Sequence, residues 1–268
     1  MAFLRSFFKY FNIAVTKYST LERLERLQKE VVGGVHYDRK KLERTGELIK
    51  SSRSQILQDI FVLHALNFQR EGYFVEFGAT DGKEKSNTHL LEKEFGWTGI
   101  LAEPATIWHS ALRSNRSCHI DTALVHASTG ETVIFNQTED PELSSIQGLE
   151  QENEHSNARK NFESYEVTTI SLTDLLRKYE APKIIDYLSI DTEGSEFQLL
   201  QAFDFGSYQF RVITCENNTD KNGVKSDKIE KLLGQHGYVK KYTELSQFDD
   251  WYILPDLLPK RKDQTKND

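Results

Sequence analysis

Small and acidic residues follow a predicted strand in a pattern suited to binding a polar ligand. Residues 73–78 read YFVEFG and predict a buried strand, and the bend over residues 78–82 comes directly after it. Small side chains in such a bend let the backbone approach a ligand closely. A helix predicted from Ser86-Asn87 adds an N-terminus with unsatisfied N–H groups beside the bend. The segment therefore predicts one wall of a binding site.

An acidic residue follows the second predicted strand. Residues 98–103 end in Glu103-Pro104, and Glu103 stands 25 residues beyond Gly78. In doubly wound sheets, a carboxylate at roughly that distance accepts hydrogen bonds from ribose hydroxyls. The bend and Glu103 together predict a cofactor that contains a nucleoside. The residues that we predict to bind it are Glu76, Gly78, Ala79, Asp81, Asn87, Glu103, Pro104 and Asp191.

The glycine pattern distinguishes between the nucleoside cofactors. The dinucleotide fingerprint requires glycine at positions 80 and 83, where the chain has Thr80 and Lys83, and the P-loop pattern is absent. S-adenosylmethionine carries a ribose but no phosphate, and its sulfonium is a cation. The acidic Glu76 and Asp81 suit a cation better than a polyphosphate because opposite charges attract. S-adenosylmethionine is therefore the predicted cofactor, and a nicotinamide cofactor is the alternative that the missing glycines disfavour.

A third group of polar residues follows two later strands. Residues 184–190 read IIDYLSI and precede Asp191, and a strand over residues 210–215 precedes Glu216-Asn217. Parallel neighbours end at the same sheet edge, and carboxylate and amide oxygens are ligands that Mg²⁺ accepts. Asp191, Glu216 and Asn217 therefore predict a possible magnesium site. The other interpretation is that Asp191 acts alone, as the base that removes a proton from an acceptor hydroxyl, with Glu193 as the second candidate.

The order of elements predicts the fold. From residue 53 onward, apolar strands alternate with helical patterns, which is typical of an α/β protein with a doubly wound, mostly parallel sheet. The strands near residues 238–242 and 251–254 have no helix between them and predict an antiparallel edge hairpin. We also predict one strand over residues 118–125, with residues 132–136 either pairing with it or extending it. The polar segment 136–163 is long for a connection and predicts a cover over the site.

Charge and composition exclude other classes of protein. The net charge is −7, but the first 53 residues hold 12 basic and 6 acidic residues, so the remainder carries −13. An acidic body argues against a nucleic-acid groove, which needs a basic surface. No apolar run reaches the roughly 18 residues of a membrane span. Two cysteines, Cys118 and Cys215, cannot form a disulfide framework, which favours a cytoplasmic protein.

The N-terminal residues form a separate unit in this interpretation. Phe3, Phe7, Phe11 and Ala14 recur at helical spacing among basic residues. An amphipathic basic helix can contact a membrane surface or pack on a protein, so residues 1–30 predict peripheral membrane contact or contact between subunits. We divide the chain into an N-terminal helical extension (1–52), a main domain (53–256) and a polar tail (257–268).

The motifs in this order resemble the FkbM-type methyltransferase family. The resemblance runs over roughly residues 53–254 and rests on Ser54-Gln55, Gln58-Asp59, Phe61, Phe74-Val75-Glu76-Phe77-Gly78-Ala79-Thr80-Asp81-Gly82, Ser86-Asn87-Thr88, Leu91-Glu92, Gly96-Trp97, Gly99, Glu103-Pro104, Ile190-Asp191, Glu193-Gly194, Glu196, Asp250 and Tyr252. The family usually has Asn where Thr80 stands. The resemblance implies a class I, Rossmann-like methyltransferase with a seven-stranded sheet that methylates hydroxyl groups of sugars or natural products. It also implies that Gln55 and Asp59, four apart on one predicted helix, cover the cofactor pocket.

Two other functions remain open at this point. One is a binding module that keeps the fold without turnover, and the other is a nicotinamide-dependent oxidoreductase. The presence of Glu103 and Asp191 favours an enzyme over a binding module. The predicted partner is a small-molecule or glycan acceptor, and the sequence does not identify it further.

Overall fold

A computed structural model describes residues 39–138, 144–147, 162–192, 194–217, 224–243, 246 and 248–259. The helices predicted before residue 39, nearly all of the polar tail and Glu193 lie outside these residues. Within them, no helix is long and apolar enough to cross a membrane.

Strands and helices alternate along most of the chain. The strands are β1 (Tyr73–Phe77), β2 (Thr98–Ala102), β3 (His119–Asp121), β4 (Leu124–His126), β5 (Thr132–Thr138), β6 (Ser145–Ile146), β7 (Phe162–Ser171), β8 (Ile184–Ile190), β9 (Gln209–Glu216), β10 (Val239–Lys241) and β11 (Asp249–Ile253). The helices are α1 (Arg39–Ser51), α2 (Gln58–Ala65), α3 (His89–Phe95), α4 (His109–Asn115), α5 (Leu172–Lys178), α6 (Glu196–Ala202) and α7 (Val224–Gln235), with 3-10 turns at Thr106–Trp108 and Pro255–Leu257.

Seven strands form one sheet in the order β10-β11-β9-β8-β1-β2-β3. The five strands from β9 to β3 are parallel, whereas β11 runs antiparallel to both β9 and β10. The predicted doubly wound, mostly parallel sheet with an antiparallel edge hairpin is confirmed. Neighbouring side chains on a strand point to opposite faces, so Phe74 packs in the apolar cluster beside α2 and α3, and Val75 in the one beside α5 to α7.

A smaller sheet corrects one sequence prediction. The segment 118–125 is two strands, because Asp121 ends β3 by accepting a hydrogen bond from Ala123 N at 2.9 Å. After this turn, β4 leaves the large sheet and pairs with β7, in the order β4-β7-β5-β6. The strand β5 likewise pairs with β7 and β6 rather than with residues 118–125. The described ends of the polar segment 136–163 therefore belong to strands.

The helix α1 packs on the main domain although it precedes the predicted boundary at residue 52. Thr45 Oγ1 lies 2.9 Å from His64 Nε2, and Lys41 Nζ donates to Asn67 Oδ1 at 2.7 Å. Desolvation by the surrounding protein, with the nearby charge of Lys41, lowers the pKa of His64 to about 4. The imidazole is therefore neutral at pH 7, although the residue is partly exposed to solvent.

The connection between α1 and α2 differs from the helix predicted there. Gln55 precedes α2, so it does not share a helix face with Asp59. Asp59 is buried and accepts hydrogen bonds from the hydroxyls of Ser52 and Ser54 at 2.9 and 2.7 Å. Asp59 therefore stabilises the connection, while Gln55 and Gln58 are the residues that reach the cavity described below.

The buried guanidinium of Arg116 connects the segment after β1 to α3 and α4. It lies 3.7 Å from the Glu76 carboxylate, which is also buried. Its hydrogen bonds run from Nε to Glu92 Oε2 at 2.7 Å, from Nη1 to Gly82 O and Ser86 Oγ at 3.1 Å, and from Nη2 to Thr88 Oγ1 at 2.8 Å. Burial raises the pKa of Glu92, but the charge and hydrogen bond of Arg116 outweigh it and leave the pKa below its usual value.

We expect Arg116→Ala to lower the free energy of unfolding by about 3–5 kcal/mol, because it leaves the buried Glu76 without its counter-ion and removes one of the two cations beside Glu92. Urea denaturation at pH 7 measures this loss. Arg113→Ala is the matched control, since Arg113 is exposed on α4, the helix that ends just before Arg116, and should change stability by less than about 0.5 kcal/mol. Equal urea midpoints for the two variants would contradict the assignment.

Candidate active site

A cavity of about 450 Å³ lies at the carboxyl ends of the central strands. The large sheet forms its floor through the residues that end or follow β1, β2, β8 and β9 and through the start of β11. The small sheet forms a second wall through Phe135, Ser145 and Ile146. The described residues that line it are Gln55, Gln58, Glu76, Phe77, Gly78, Thr80, Lys85, Asn87, Ala102, Glu103, Pro104, Leu124, Val125, Phe135, Ser144, Ser145, Ile146, Ser189, Ile190, Asp191, Thr192, Ser195, Glu216, Phe248 and Asp249.

The bend after β1 depends on glycine at position 78. Gly78 has φ +69°, and a Cβ there would lie 2.3 Å from the backbone oxygen of Asp191. The parallel register of Glu76 with Ser189 produces this close approach between the ends of β1 and β8. Any side chain at position 78 would force the two strand ends apart, so the glycine keeps the cavity floor continuous.

Glu76 organises the loop around the cavity. Its carboxylate accepts hydrogen bonds from Ser86 Oγ at 2.9 Å, from Asn87 N at 2.7 Å and from Thr88 Oγ1, in addition to the ion pair with Arg116. These contacts occupy the carboxylate, although Glu76 also lines the cavity. The geometry thus indicates that Glu76 shapes the site and adds negative charge to it.

Asn87 presents an acceptor to the cavity. Its Nδ2 donates to Ser189 Oγ at 2.9 Å, which fixes the orientation of the amide. Its Oδ1 is buried and has no hydrogen-bond partner among the described residues. A buried acceptor without a partner costs free energy, so a ligand donor at this place would stabilise the site.

Glu103 is buried at the end of β2 with both oxygens oriented by the backbone. Oε2 accepts from Thr80 N at 2.8 Å, and Oε1 accepts from Ala105 N at 2.7 Å. Burial raises the pKa of Glu103 to about 7, although these two N–H donors act against the shift. Each carboxylate oxygen can accept more than one hydrogen bond, so Glu103 can still receive ligand hydroxyls from the cavity.

The remaining predicted cofactor residues lie in different positions. Pro104 lines the cavity, and its carbonyl oxygen accepts from Tyr165 Oη at 3.3 Å. Ala79 is buried in the core beside the bend. Asp81 is not among the described lining residues; its Oδ1 accepts from Lys83 N and Glu84 N at 2.8 and 2.9 Å. Asp81 therefore closes a local turn instead of facing a ligand, which corrects its predicted position.

Three carboxylates lie side by side on neighbouring strands at the cavity edge. Asp249 on β11 is directly opposite Glu216 on β9. Asp191 follows Ile190, which is in register with Cys215, so Asp191 falls next to Glu216. Burial and the neighbouring Glu196 raise the pKa of Asp191 to about 6. Burial is also the main cause that raises the pKa of Asp249 to about 7.

The loop that carries Asp191 is held by Glu196. Oε1 of this buried residue accepts from Thr192 N at 3.2 Å, from Thr192 Oγ1 at 3.1 Å and from Gly194 N at 3.0 Å. The acidic residue that the motif places at the start of α6 thus caps the preceding loop. Glu193, the second predicted base, lies outside the described residues.

The three predicted magnesium ligands follow two neighbouring strands. Asp191 and Glu216 line the cavity, whereas Asn217 is not among the described lining residues and donates through Nδ2 to Asp250 Oδ2 at 3.1 Å. Its Oδ1, the atom that would bind a metal ion, is buried and has no hydrogen-bond partner among the described residues. Within the described part of the chain, no group of three His, Cys, Asp or Glu residues is placed to hold a metal ion. The magnesium site stays a prediction, and no catalytic step is assigned to a metal ion.

Several residues at the site were not identified from the sequence. Asp249, Gln58 and Lys85 line the cavity, and Arg116 supports the loop below it. The closing motif draws attention to Asp250, but side chains alternate along a strand, so Asp249 and not Asp250 faces the cavity. Five carboxylates and a single cationic side chain, Lys85, line the described wall, which makes the cavity favourable for a cation.

Comparison with known proteins identifies the family of the chain. The model of the methyltransferase FkbM domain matches residues 76–240, whereas no curated protein sequence matches the chain. Three solved structures are similar at low identity. They are precorrin-6y C5,15-methyltransferase from Geobacter metallireducens GS-15 (14% identity, TM-score 0.37, 73% of this chain and 85% of that one), human methyltransferase 10 domain containing protein (12%, 0.38, 91% and 96%) and the O-methyltransferase from Bacillus cereus in complex with SAH (13%, 0.35, 86% and 95%).

The matched region begins at Glu76 and includes Glu103, Asp191 and Glu216, and it spans more than half of the chain. The resemblance inferred from the motifs is thereby confirmed. The chain belongs to the FkbM methyltransferase family.

Proposed function

We propose that this protein transfers a methyl group from S-adenosylmethionine to a hydroxyl group of a sugar, a glycan or a natural product. The observation that carries the proposal is Glu103, a buried carboxylate that lines the cavity and is oriented by two backbone N–H groups, those of Thr80 in the bend and of Ala105. This geometry favours a ribose over a phosphate.

The proposed location is the cytoplasm, which the free thiols of Cys118 and Cys215 support.

The acceptor groups of the cavity fit this cofactor. Glu103 would accept the ribose hydroxyls, and the buried Oδ1 of Asn87, which lacks a partner among the described residues, would accept from the amino group of the methionine part. Gly78 lets the ends of β1 and β8 approach closely without a side chain between them. The carboxylates of the wall would stabilise the sulfonium, whose electrophilic methyl group is the chemistry that the bound cofactor supplies.

Asp191 is the proposed general base. It lies at the end of β8, between the Gly78 bend and Glu216, so it borders both the cofactor half of the cavity and the strands beyond it. Burial raises its pKa to about 6, which makes it a stronger base than an exposed carboxylate and still leaves it largely ionised at pH 7. Asp191 would take the hydroxyl proton as the acceptor oxygen forms its bond to the methyl carbon.

Binding of S-adenosylhomocysteine tests the cofactor. We expect its affinity to rise up to about tenfold from pH 6 to pH 8, because the ionised Glu103 is the better acceptor and its pKa lies near 7. Glu103→Gln should weaken binding by about 1.5–3 kcal/mol at pH 8 and should remove this part of the pH dependence. Calorimetric titration measures both effects. With exposed Glu131→Gln as the control, an unchanged affinity in Glu103→Gln would rule out the ribose site.

Methyl transfer from radiolabelled S-adenosylmethionine tests the base. Asp191→Asn should lower the rate with any acceptor that the parent protein methylates by about 10²–10⁴-fold, because an amide cannot take up the proton. Binding of S-adenosylhomocysteine should persist in the variant. EDTA should leave the parental rate unchanged, because Asp191 takes the proton in this proposal without the help of a metal ion. A parental rate in Asp191→Asn would remove Asp191 as the base, and loss of activity in EDTA would restore the magnesium interpretation.

A further inference from the structure

The strand order shows which half of the cavity remains for the acceptor. From Glu103 at the end of β2, the sheet continues through β1, β8 and β9 to Asp249 on β11. Neighbouring strands are about 4.8 Å apart, so these four steps span about 19 Å. In the proposed cofactor a single methylene joins the ribose to the sulfonium. The methyl group therefore lies within about two strand spacings of Glu103, near β8, and Asp249 lies beyond it.

Asp249 presents one carboxylate oxygen to this second half. The residue is only 5% exposed and lines the cavity. Its Oδ2 accepts from Gln58 Nε2 at 3.0 Å and from Trp251 Nε1 at 3.3 Å. Both hydrogen bonds end on Oδ2, and Oδ1 has no hydrogen-bond partner among the described residues. The side chain is thus fixed in orientation with one oxygen left for a ligand.

Gln58 holds Asp249 in this orientation and adds a donor of its own. Its Oε1 accepts from Ile56 N at 3.1 Å, which determines the direction of the amide. Nε2 carries two protons, and one of them is used on Asp249. Gln58 is 3% exposed and also lines the cavity. A fixed donor and a fixed acceptor therefore lie next to each other.

An aromatic ring borders this pair. Phe248 lines the cavity and is nevertheless 39% exposed, which is unusual for a large apolar side chain beside a buried strand. Its backbone is held on both sides, since Phe248 O accepts from Asn217 N and Asp249 N donates to Ser246 O, both at 2.7 Å. The backbone that carries the ring is therefore fixed, and the ring offers an exposed apolar surface next to two fixed polar groups.

We propose that Phe248, Asp249 and Gln58 form the subsite for the acceptor, and that the acceptor is a hydroxyl-rich ring such as a sugar. The C–H face of the ring would pack on Phe248, one hydroxyl would donate to Asp249 Oδ1, and a neighbouring hydroxyl would accept from Gln58 Nε2. This assignment rests on the proposed function and adds where the acceptor binds and what chemical class it belongs to. A further hydroxyl of the ring then faces Asp191 and the methyl group.

Saturation-transfer NMR tests the subsite on the full chain with excess S-adenosylhomocysteine. The probes are methyl α-L-rhamnopyranoside and methyl α-D-glucopyranoside, with cyclohexanol as a ring that has one hydroxyl. We expect saturation transfer to at least one glycoside, with a signal at least fivefold above that of cyclohexanol. Phe248→Ala and Asp249→Asn should each lower the glycoside signal at least fivefold while the affinity for S-adenosylhomocysteine stays within twofold of the parent.

Matched controls separate this result from general damage. Phe162→Ala replaces another exposed phenylalanine, and Asp256→Asn another carboxylate, and neither residue lines the cavity; both variants should keep the parental signal. Asp249 is buried, so its substitution is the one that can disturb folding. If Asp249→Asn does not fold, the result for Phe248→Ala alone decides whether the subsite is correct. Absence of glycoside binding in a parent that binds S-adenosylhomocysteine overturns the subsite only, as does a parental signal in Phe248→Ala. A parent that does not bind S-adenosylhomocysteine overturns the proposed function as well.

Discussion

The buried contact between Arg116 and Glu76 determines where the cavity can form. Glu76 is the fourth residue of β1, and its carboxylate, with Arg116 behind it, holds the loop that runs from Gly82 to Thr88. That loop carries Asn87 to the cavity wall. Without the guanidinium, the carboxylate would repel its buried neighbour Glu92 and lose its counter-ion, at a cost of several kcal/mol. The ion pair is therefore a requirement for the groups that line this part of the cavity to stay in place.

Three carboxylates lie together at the edge of the large sheet that borders the cavity, although protein interiors seldom hold charged groups. Asp191, Glu216 and Asp249 follow one another across β8, β9 and β11, and like charges directly opposite each other destabilise a sheet. Burial raises the pKa of Asp191 and of Asp249, so part of this charge is neutralised by protons in the free protein. Such crowding is typical of functional sites, where perturbed carboxylates do chemistry that exposed ones do not.

Local patterns predicted the parts of the fold and site that depend on neighbouring residues. The strand β8, the bend after β1, the hairpin β10–β11 and Glu103 are examples. The other parts depend on contacts between residues that are far apart in the sequence. Arg116 meets partners 24 to 40 positions earlier in the chain, and no spacing rule indicates this. The Asp81 carboxylate accepts hydrogen bonds from the backbone N–H groups of Lys83 and Glu84. Such local hydrogen bonds compete with a ligand for a short acidic side chain. Asp249 and Asp250 are neighbours on β11, and their side chains point to opposite faces of the strand. Which of them faces the cavity can be predicted only when the register of β11 against β9 is known.

Charge balance connects the acidic cavity to the proposed reaction. The bound sulfonium is positive, and methyl transfer converts it to a neutral thioether, while the acceptor hydroxyl loses a proton to Asp191. The total charge inside the cavity is thus the same before and after the chemical step, so no net charge has to enter or leave during it. Afterwards the thioether product no longer attracts the carboxylates as the cation did, whereas a new sulfonium does. An acidic wall therefore favours exchange of product for substrate once Asp191 has returned its proton to water.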